Sequence, residues 1–503
     1  MTTALTIQQP LLGQLNSTPL TTGSSDTRIL SYLARANYSF MNKYVLTSTL
    51  RVDGVSKFSE ENRYGYFPSF SLAWRLVQES FIDKINVFDD LKLRVGWGQI
   101  GNHGIRPYAT LSNYASDANN LYGNITNGID IPLYLQNIAN PDLKWETTQQ
   151  INLGLDFAFF ESRLTGSVDA YNKITKDLLQ NVPIPLSSGF LNVQVNRGEI
   201  ENRGIEANLN AIVFDKNNLR ISIGGNIAFN KTKLKNLGLT PSSILIDGQY
   251  KDIPFYEGNI VSRGNIFKYA PNVFIEGEET SLFYGFKTDG IYQVNDPLPG
   301  GGLARMYDPS DDNPPLFWAG DYKIIDQNGD GVIDLRDRTI IGNPNPDFVY
   351  GINLEVNYKQ LSLRVLANGV YGNDVANGNL LQLAIAEGIP WSNITNVAYN
   401  NAWRPEKPSN IYPRIGYTTN GMIAMPDRII EDGSFLRLST INLGYQFDKV
   451  NLYVSAQNLF TFTAYSGYNP EVTSFLYDGL RNGVDWNGQP NARKFLIGLN
   501  FNL

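Results

Sequence analysis

Twelve residues, Asp326-Gln327-Asn328-Gly329-Asp330-Gly331-Val332-Ile333-Asp334-Leu335-Arg336-Asp337, place oxygen donors at the spacing of a calcium loop. The candidate ligands are Asp326, Asn328, Asp330, the Val332 carbonyl, Asp334 and Asp337, with Gly331 supplying the sharp turn. Ca²⁺ is a hard cation that takes about six to eight oxygens, and this loop offers them. Position twelve is Asp, one methylene shorter than the usual bidentate Glu, and the flanks read as strand or loop, not as paired helices. The alternative is an Asx/Gly turn that needs no metal.

Other chemistry is sparse. The single histidine, His103, sits in the turn-like Gly101-Asn102-His103-Gly104 and is expected to be a solvated loop residue. No Ser/His/Asp set can be completed beyond it, and the glycines of Pro299 to Gly302 lack the strand-to-helix setting of a phosphate loop. Cysteine is absent, which removes disulfides and thiolate metal sites. A net charge of −7 without a basic run argues against nucleic acid. The chain is not expected to be an enzyme.

The elements that carry these residues follow a rhythm of two. Ile151, Leu153, Leu155, Phe157 and Phe159 alternate with Asn152, Gly154, Asp156 and Ala158; after a break at Glu161 and Ser162, Leu164, Gly166, Val168 and Ala170 alternate with Thr165, Ser167, Asp169 and Tyr171. This predicts an antiparallel hairpin whose arms match the roughly 9 to 11 residues of a tilted strand crossing a bilayer. The pattern recurs from Leu30 to the C-terminus, with Met41-Asn42-Lys43, Asp215 to Asn218, Lys359-Gln360 and Asp448-Lys449 as turns. Tight turns alternate with long loops, as they do between the two ends of an outer-membrane barrel. The fold class is therefore all-β, an antiparallel transmembrane β-barrel. Arg51, Asp53, Arg75, Lys92 and Arg94 fall on the polar face, where they would line a wet lumen and either contact substrate or serve as plain lining. Tyr250, Tyr256, Phe317, Trp318, Trp391 and Trp403 lie on loops and either stack on sugar rings or pack against neighbouring loops.

Several stretches resemble the SusC/RagA-type TonB-dependent outer-membrane transporters of Bacteroidetes. They are Arg51-Val52-Asp53-Gly54, Asn62 to Ser69, Leu91-Lys92-Leu93-Arg94 with Gly101-Asn102, and Asn140-Pro141-Asp142-Leu143-Lys144-Trp145-Glu146. Asn202 to Glu206, Phe283 to Gly290, Glu431 to Arg437, Gln457 to Phe460 and Tyr468-Asn469-Pro470-Glu471 continue the series in order. The resemblance implies a barrel of about 22 strands around a plug, energised through TonB and lidded by a SusD-like surface lipoprotein. It also implies import of glycan or peptide oligomers and location in the outer membrane, among its lipids. About fourteen strands are legible here, so the chain reads as the C-terminal portion of such a barrel, with the plug domain absent. Residues 1–26 read as a polar, disordered lead and 27–503 as barrel with long extracellular loops. No secretory signal is evident at Met1 to Thr6. Lys494 to Leu503 looks like the strand read by the barrel-assembly machinery. A secreted all-β carbohydrate-binding or adhesin-like protein is the alternative reading.

Overall fold

The computed structural model describes residues 25–116, 133–135, 137–261, 269–308, 310–311, 315–384, 393–415, 425–472, 474–475 and 478–501. Thirteen strands form one sheet. They are β1 (Ile29–Phe40), β2 (Tyr44–Val55), β3 (Tyr64–Arg75), β4 (Phe88–Asn102), β5 (Glu146–Phe159), β6 (Leu164–Lys176) and β7 (Glu199–Lys216), followed by β8 (Leu219–Asn236), β9 (Phe348–Tyr358), β10 (Leu361–Tyr371), β11 (Phe435–Gln446), β12 (Val450–Thr463) and β13 (Lys494–Phe501). Their order in the sheet is their order in the chain. About fourteen strands were expected, and the sheet holds thirteen among the described residues. Leu503, expected to end the last strand, lies outside them.

An up-and-down order puts alternate connections at the same end of the sheet. One end carries the short turns after β1, β5, β7, β9 and β11, together with the helical turn at Leu76–Gln78 and Ser80–Asp83. The tightest turns need left-handed backbone, which asparagine tolerates: Asn217 and Asn218 have φ of 54° and 63°. The other end carries the long connections, and these are not the irregular loops that polar composition suggests. The 177–198 segment holds a hairpin, Leu179–Pro183 with Asn192–Asn196, and the region from Leu237 to Asp347 builds a four-stranded sheet.

The chain divides into two compact units. The first comprises Met1–Trp74, Val95–Asn152 and Lys173–Glu199; the second comprises Arg75–Arg94, Leu153–Asn172 and Ile200–Leu503. In the first, β1 to β3 pair so that Tyr38, Leu46 and Leu72 share a row, as do Phe40, Tyr44 and Trp74; the alternate rows carry Asn37, Thr47 and Ser71. Its core is Val55, Phe58, Phe67, Ile105, Leu143 and Trp145.

In the second unit the same rule holds over six strands. Ile221, Val356, Leu363, Leu443, Val454 and Ile497 lie directly opposite one another, and the adjacent row reads Ser222, Glu355, Arg364, Asn442 and Ser455 over five strands, with Leu496 opposite Ser455 on the last. The apolar row is not a protein core, because Leu443 and Val454 are each 45% exposed and Ile497 77%. A face of aligned Ile, Leu and Val left uncovered over six strands is stable only against hydrocarbon. Aromatic residues bound it: Phe229, Phe348, Tyr350 and Tyr371 cluster at the loop end, and Tyr445 with Phe447 at the turn end. From Leu219 to Phe229 the strand rises roughly 33 Å at about 3.3 Å per residue. At a tilt of about 40° that spans roughly 25 Å of bilayer, the height of an outer-membrane apolar band.

Candidate functional site

The polar face of the second unit holds a charge network built by three neighbouring strands. Arg94 on β4 grips Asp156 on β5 with two bonds, Nε to Oδ2 at 2.9 Å and Nη2 to Oδ1 at 2.7 Å. It also reaches Asp169 on β6 at 3.0 Å, and Lys92 meets Asp156 at 2.7 Å. Gly154 makes this possible, since a β-carbon there would lie 2.6 Å from the Arg94 guanidinium carbon. On the first unit's polar face Arg51 pairs with Asp53 at 2.7 Å. Arg75 closes β3 and joins no ion pair among the described residues. Such charges are compatible with water and not with acyl chains, so the lumen-side assignment of Arg51, Asp53, Lys92 and Arg94 agrees with the geometry.

The loops of the second unit pack into a core of their own around Phe283, Phe286, Tyr292, Phe317, Trp403 and Met425. Each fully buried large side chain contributes roughly 1.5 to 3 kcal/mol, so this region is a built body on top of the sheet strands. Phe317 and Trp403 are buried in it, Trp318 is buried against Tyr307 and Arg305, and Tyr256 is stacked on Phe274 at 4.7 Å. These four pack against neighbouring loops; Tyr250 is half exposed and its hydroxyl accepts from Asn328 Nδ2 at 3.0 Å, and Trp391 lies outside the described residues. Asp321 and Arg414 form a buried pair at 2.7 Å. Burial pushes the Asp321 carboxyl up to about 6, against the pull of the Arg414 guanidinium.

The Asp326 to Asp337 segment lies between the strands Tyr322–Ile324 and Thr339–Gly342. Gly329 and Gly331, at φ of 74° and 81°, donate their amides to Asp326 at 2.7 and 2.8 Å. Asn328 Oδ1 accepts from the Asp330 amide, and Asp330 Oδ1 from that of Val332. Asp337 is fully buried, which raises its pKa, and accepts from the Asp334 and Gln327 amides. The positive charge at the loop is Arg336, 3.0 Å from Asp330 and 2.7 Å from Asp334. Among the described residues no three His, Asp or Glu side chains converge as a metal site requires. The side-chain oxygens of Asp326, Asn328, Asp330 and Asp337 accept from loop amides, and those of Asp330 and Asp334 also face this guanidinium.

What sequence reasoning missed is the role of its own motifs. Leu143 and Trp145 are core residues, and Trp145 Nε1 donates to the Arg63 carbonyl at 3.2 Å. Glu146 accepts from Asn102 and from the Leu179 amide. Glu431 accepts from Asn377 and Ser466, while Arg437 is held by Asn469, Thr461 and Glu471. The motifs peg loops to strand ends. His103, expected in solvent, is half-buried with its ring edge-on to Trp145 at 5.3 Å, because the turn folds back over that indole.

Comparison with known proteins fits this geometry. The family described as TonB dependent receptor-like, beta-barrel matches residues 3–326. The chain belongs to the TonB-dependent receptor β-barrel family. As a TonB-dependent receptor barrel it is an outer-membrane protein and not an enzyme. TonB-dependent receptor P3 of Formosa agariphila is 33% identical over 490 residues, which cover 95% of this chain and 46% of that protein. TonB-dependent receptor SusC of Bacteroides thetaiotaomicron is 33% identical over 491 residues, 94% of this chain and 43% of SusC. The chain thus spans about half the length of the curated TonB-dependent receptors it matches. A solved structure of the RagAB peptide transporter superposes with a TM-score of 0.73 at 22% identity over 94% of this chain and 47% of that one, a likeness of fold.

Proposed function

We propose that this chain forms the wall and extracellular cap of an importer that carries glycan or peptide oligomers across the outer membrane. In this reading a SusD-like surface lipoprotein closes over the loops, TonB supplies the energy through a plug segment, and the final strand is recognised by the barrel-assembly machinery. The observation that carries it is the pairing of an aliphatic, lipid-facing row with a charged row on the opposite face. That arrangement makes a wall with a wet interior, and the packed loop core crowns one end of it. The secreted adhesin is disfavoured by the same rows, since a soluble sandwich would bury its Ile221 to Ile497 row. A lid of protein character is supported by exposed Val294, Leu303, Met306, Tyr307 and Ile411. They lie on loop segments tied together by the Gln293 to Ser409 and Asn295 to Ala304 hydrogen bonds. The test is growth of a deletion strain on defined oligosaccharides or peptides as the sole nutrient. Loss of growth on one class, restored by the parent gene and abolished by a TonB knockout, is expected; unchanged uptake of both classes would refute the importer.

A further inference from the structure

A groove of about 650 Å³ opens on the outward face where β6, β7 and β8 leave the apolar belt. Its lower part is Ala170, Ile205 and Phe229; its upper part is Arg203 with Lys231, Lys233 and Lys235. Residues two apart on a strand share a face, so the lysines continue the row of Ile221, Ile223, Ile227 and Phe229 that meets hydrocarbon. Phe229 stands at the loop-side end of that belt, and Lys231, two residues on, is roughly 5 Å higher along the normal at a tilt of about 40°. That is headgroup height. The four cations face two carboxylates: Glu201 takes Arg203 at 2.6 Å and Lys235 at 3.7 Å, and Glu279 takes Lys231 at 3.9 Å. The Lys231 side chain is largely exposed and that of Lys235 about half, and such long surface pairs contribute little, so their ammonium groups are free to turn to another anion. Among the described residues Lys233 has no ion pair.

We propose that this groove binds an anionic amphiphile of the outer leaflet, its acyl chain along Ala170, Ile205 and Phe229 and its phosphate among Arg203, Lys231, Lys233 and Lys235. The order of the lining, apolar below and cationic above, fits a lipid and not a free anion. A basic residue beside a charged lipid surface contributes roughly a fivefold change in binding, so three lysines contribute roughly a hundredfold. The proposal rests on the outer-membrane setting, which partition into detergent checks separately.

The test uses the full-length receptor in maltoside micelles, titrated with dioleoyl phosphatidic acid, dioleoyl phosphatidylcholine or inorganic phosphate and read by native mass spectrometry. Phosphatidic acid should bind at least tenfold more tightly than phosphatidylcholine, with inorganic phosphate weaker than either. The triple change Lys231→Gln, Lys233→Gln and Lys235→Gln should weaken phosphatidic acid roughly a hundredfold, while Lys251→Gln on an exposed loop hairpin should not. Ile205→Trp, which fills the apolar floor and keeps every charge, should also weaken it, and serves if the triple variant fails to show heat-modifiable migration. Equal affinity for the two lipids, parent-like binding by the triple variant, or phosphate binding as tightly as phosphatidic acid would overturn the proposal.

Discussion

At the scale of single residues, charge placement decides what each variant should do. Arg94 separates Asp156 from Asp169, and Arg94→Ala leaves those carboxylates with Lys92 alone. Because Arg94 is about one third exposed and its two carboxylates about a quarter, the expected loss is about 1 to 2 kcal/mol, below that of a buried pair. It should appear as a lower temperature of heat-modified migration, and Arg94→Lys should recover part of it. Asp321 titrates near 6 in the folded loop core and near 4 in an unfolded chain. A raised carboxyl favours the folded state below pH 4, and that contribution, about 3 kcal/mol at most, is lost as pH rises through 6. Loop-core unfolding, followed by tryptophan fluorescence from pH 4 to 7, should carry this slope, and Asp321→Asn should flatten it. At the Asp326 to Asp337 segment, Ca²⁺ would have to displace Arg336 from Asp330 and Asp334. With the loop closed by Arg336, protease cleavage should be equal with calcium and with chelator, whereas calcium-dependent protection would establish the metal site. Side-chain roles in the loop core were poorly legible in the sequence. Phe317, Trp318 and Trp403 are equally apt as sugar platforms or as packing, and only contacts with distant residues, such as Trp403 Nε1 to Gln293 at 2.8 Å, decide between the two.

At the scale of elements, the period of two made the strands legible because it records the two solvents that the sheet divides. Each tight turn was legible too, from short polar dipeptides between alternating runs. Strand ends were not. The alternation around Leu219 to Ile227 was easy to follow, yet β8 runs to Asn236, since beyond the apolar belt both faces turn polar and the contrast fades. The small loop strands escaped for another reason: runs such as Leu282–Gly285 or Asn272–Ile275 are buried on every side, so they carry no alternation at all. The two faces make a sharp mutational contrast. Leu354→Arg, in the lipid-facing row with Ile223, Val365 and Ile441, should cost about 2 to 4 kcal/mol and lower the yield of folded barrel in the outer membrane. Asn353→Arg, one residue away on the wet face, should leave that yield near the parent value.

At the scale of the whole molecule, the sheet strands of each unit carry an apolar row beside a polar one, and the long connections of the second unit pack into a core of their own. The resemblance in the sequence reached this arrangement through motifs whose work is structural: Leu143, Trp145, Glu431 and Arg437 hold loop bases, which explains why they mark the barrel and are silent about cargo. The direct measurement uses the absence of native cysteine, so that a single introduced thiol reports only its own position. Cysteines at Ile223, Val365 and Ile441, and at Ser222, Asn353 and Asn442, would each be treated in outer membranes with a water-soluble maleimide and, after dye labelling in the purified protein, with lipid-confined nitroxide quenchers. The first set should resist the maleimide and be quenched by the nitroxide lipid; the second should react and stay unquenched. Equal labelling of both sets, or no quenching at Ile223, Val365 and Ile441, would contradict the account.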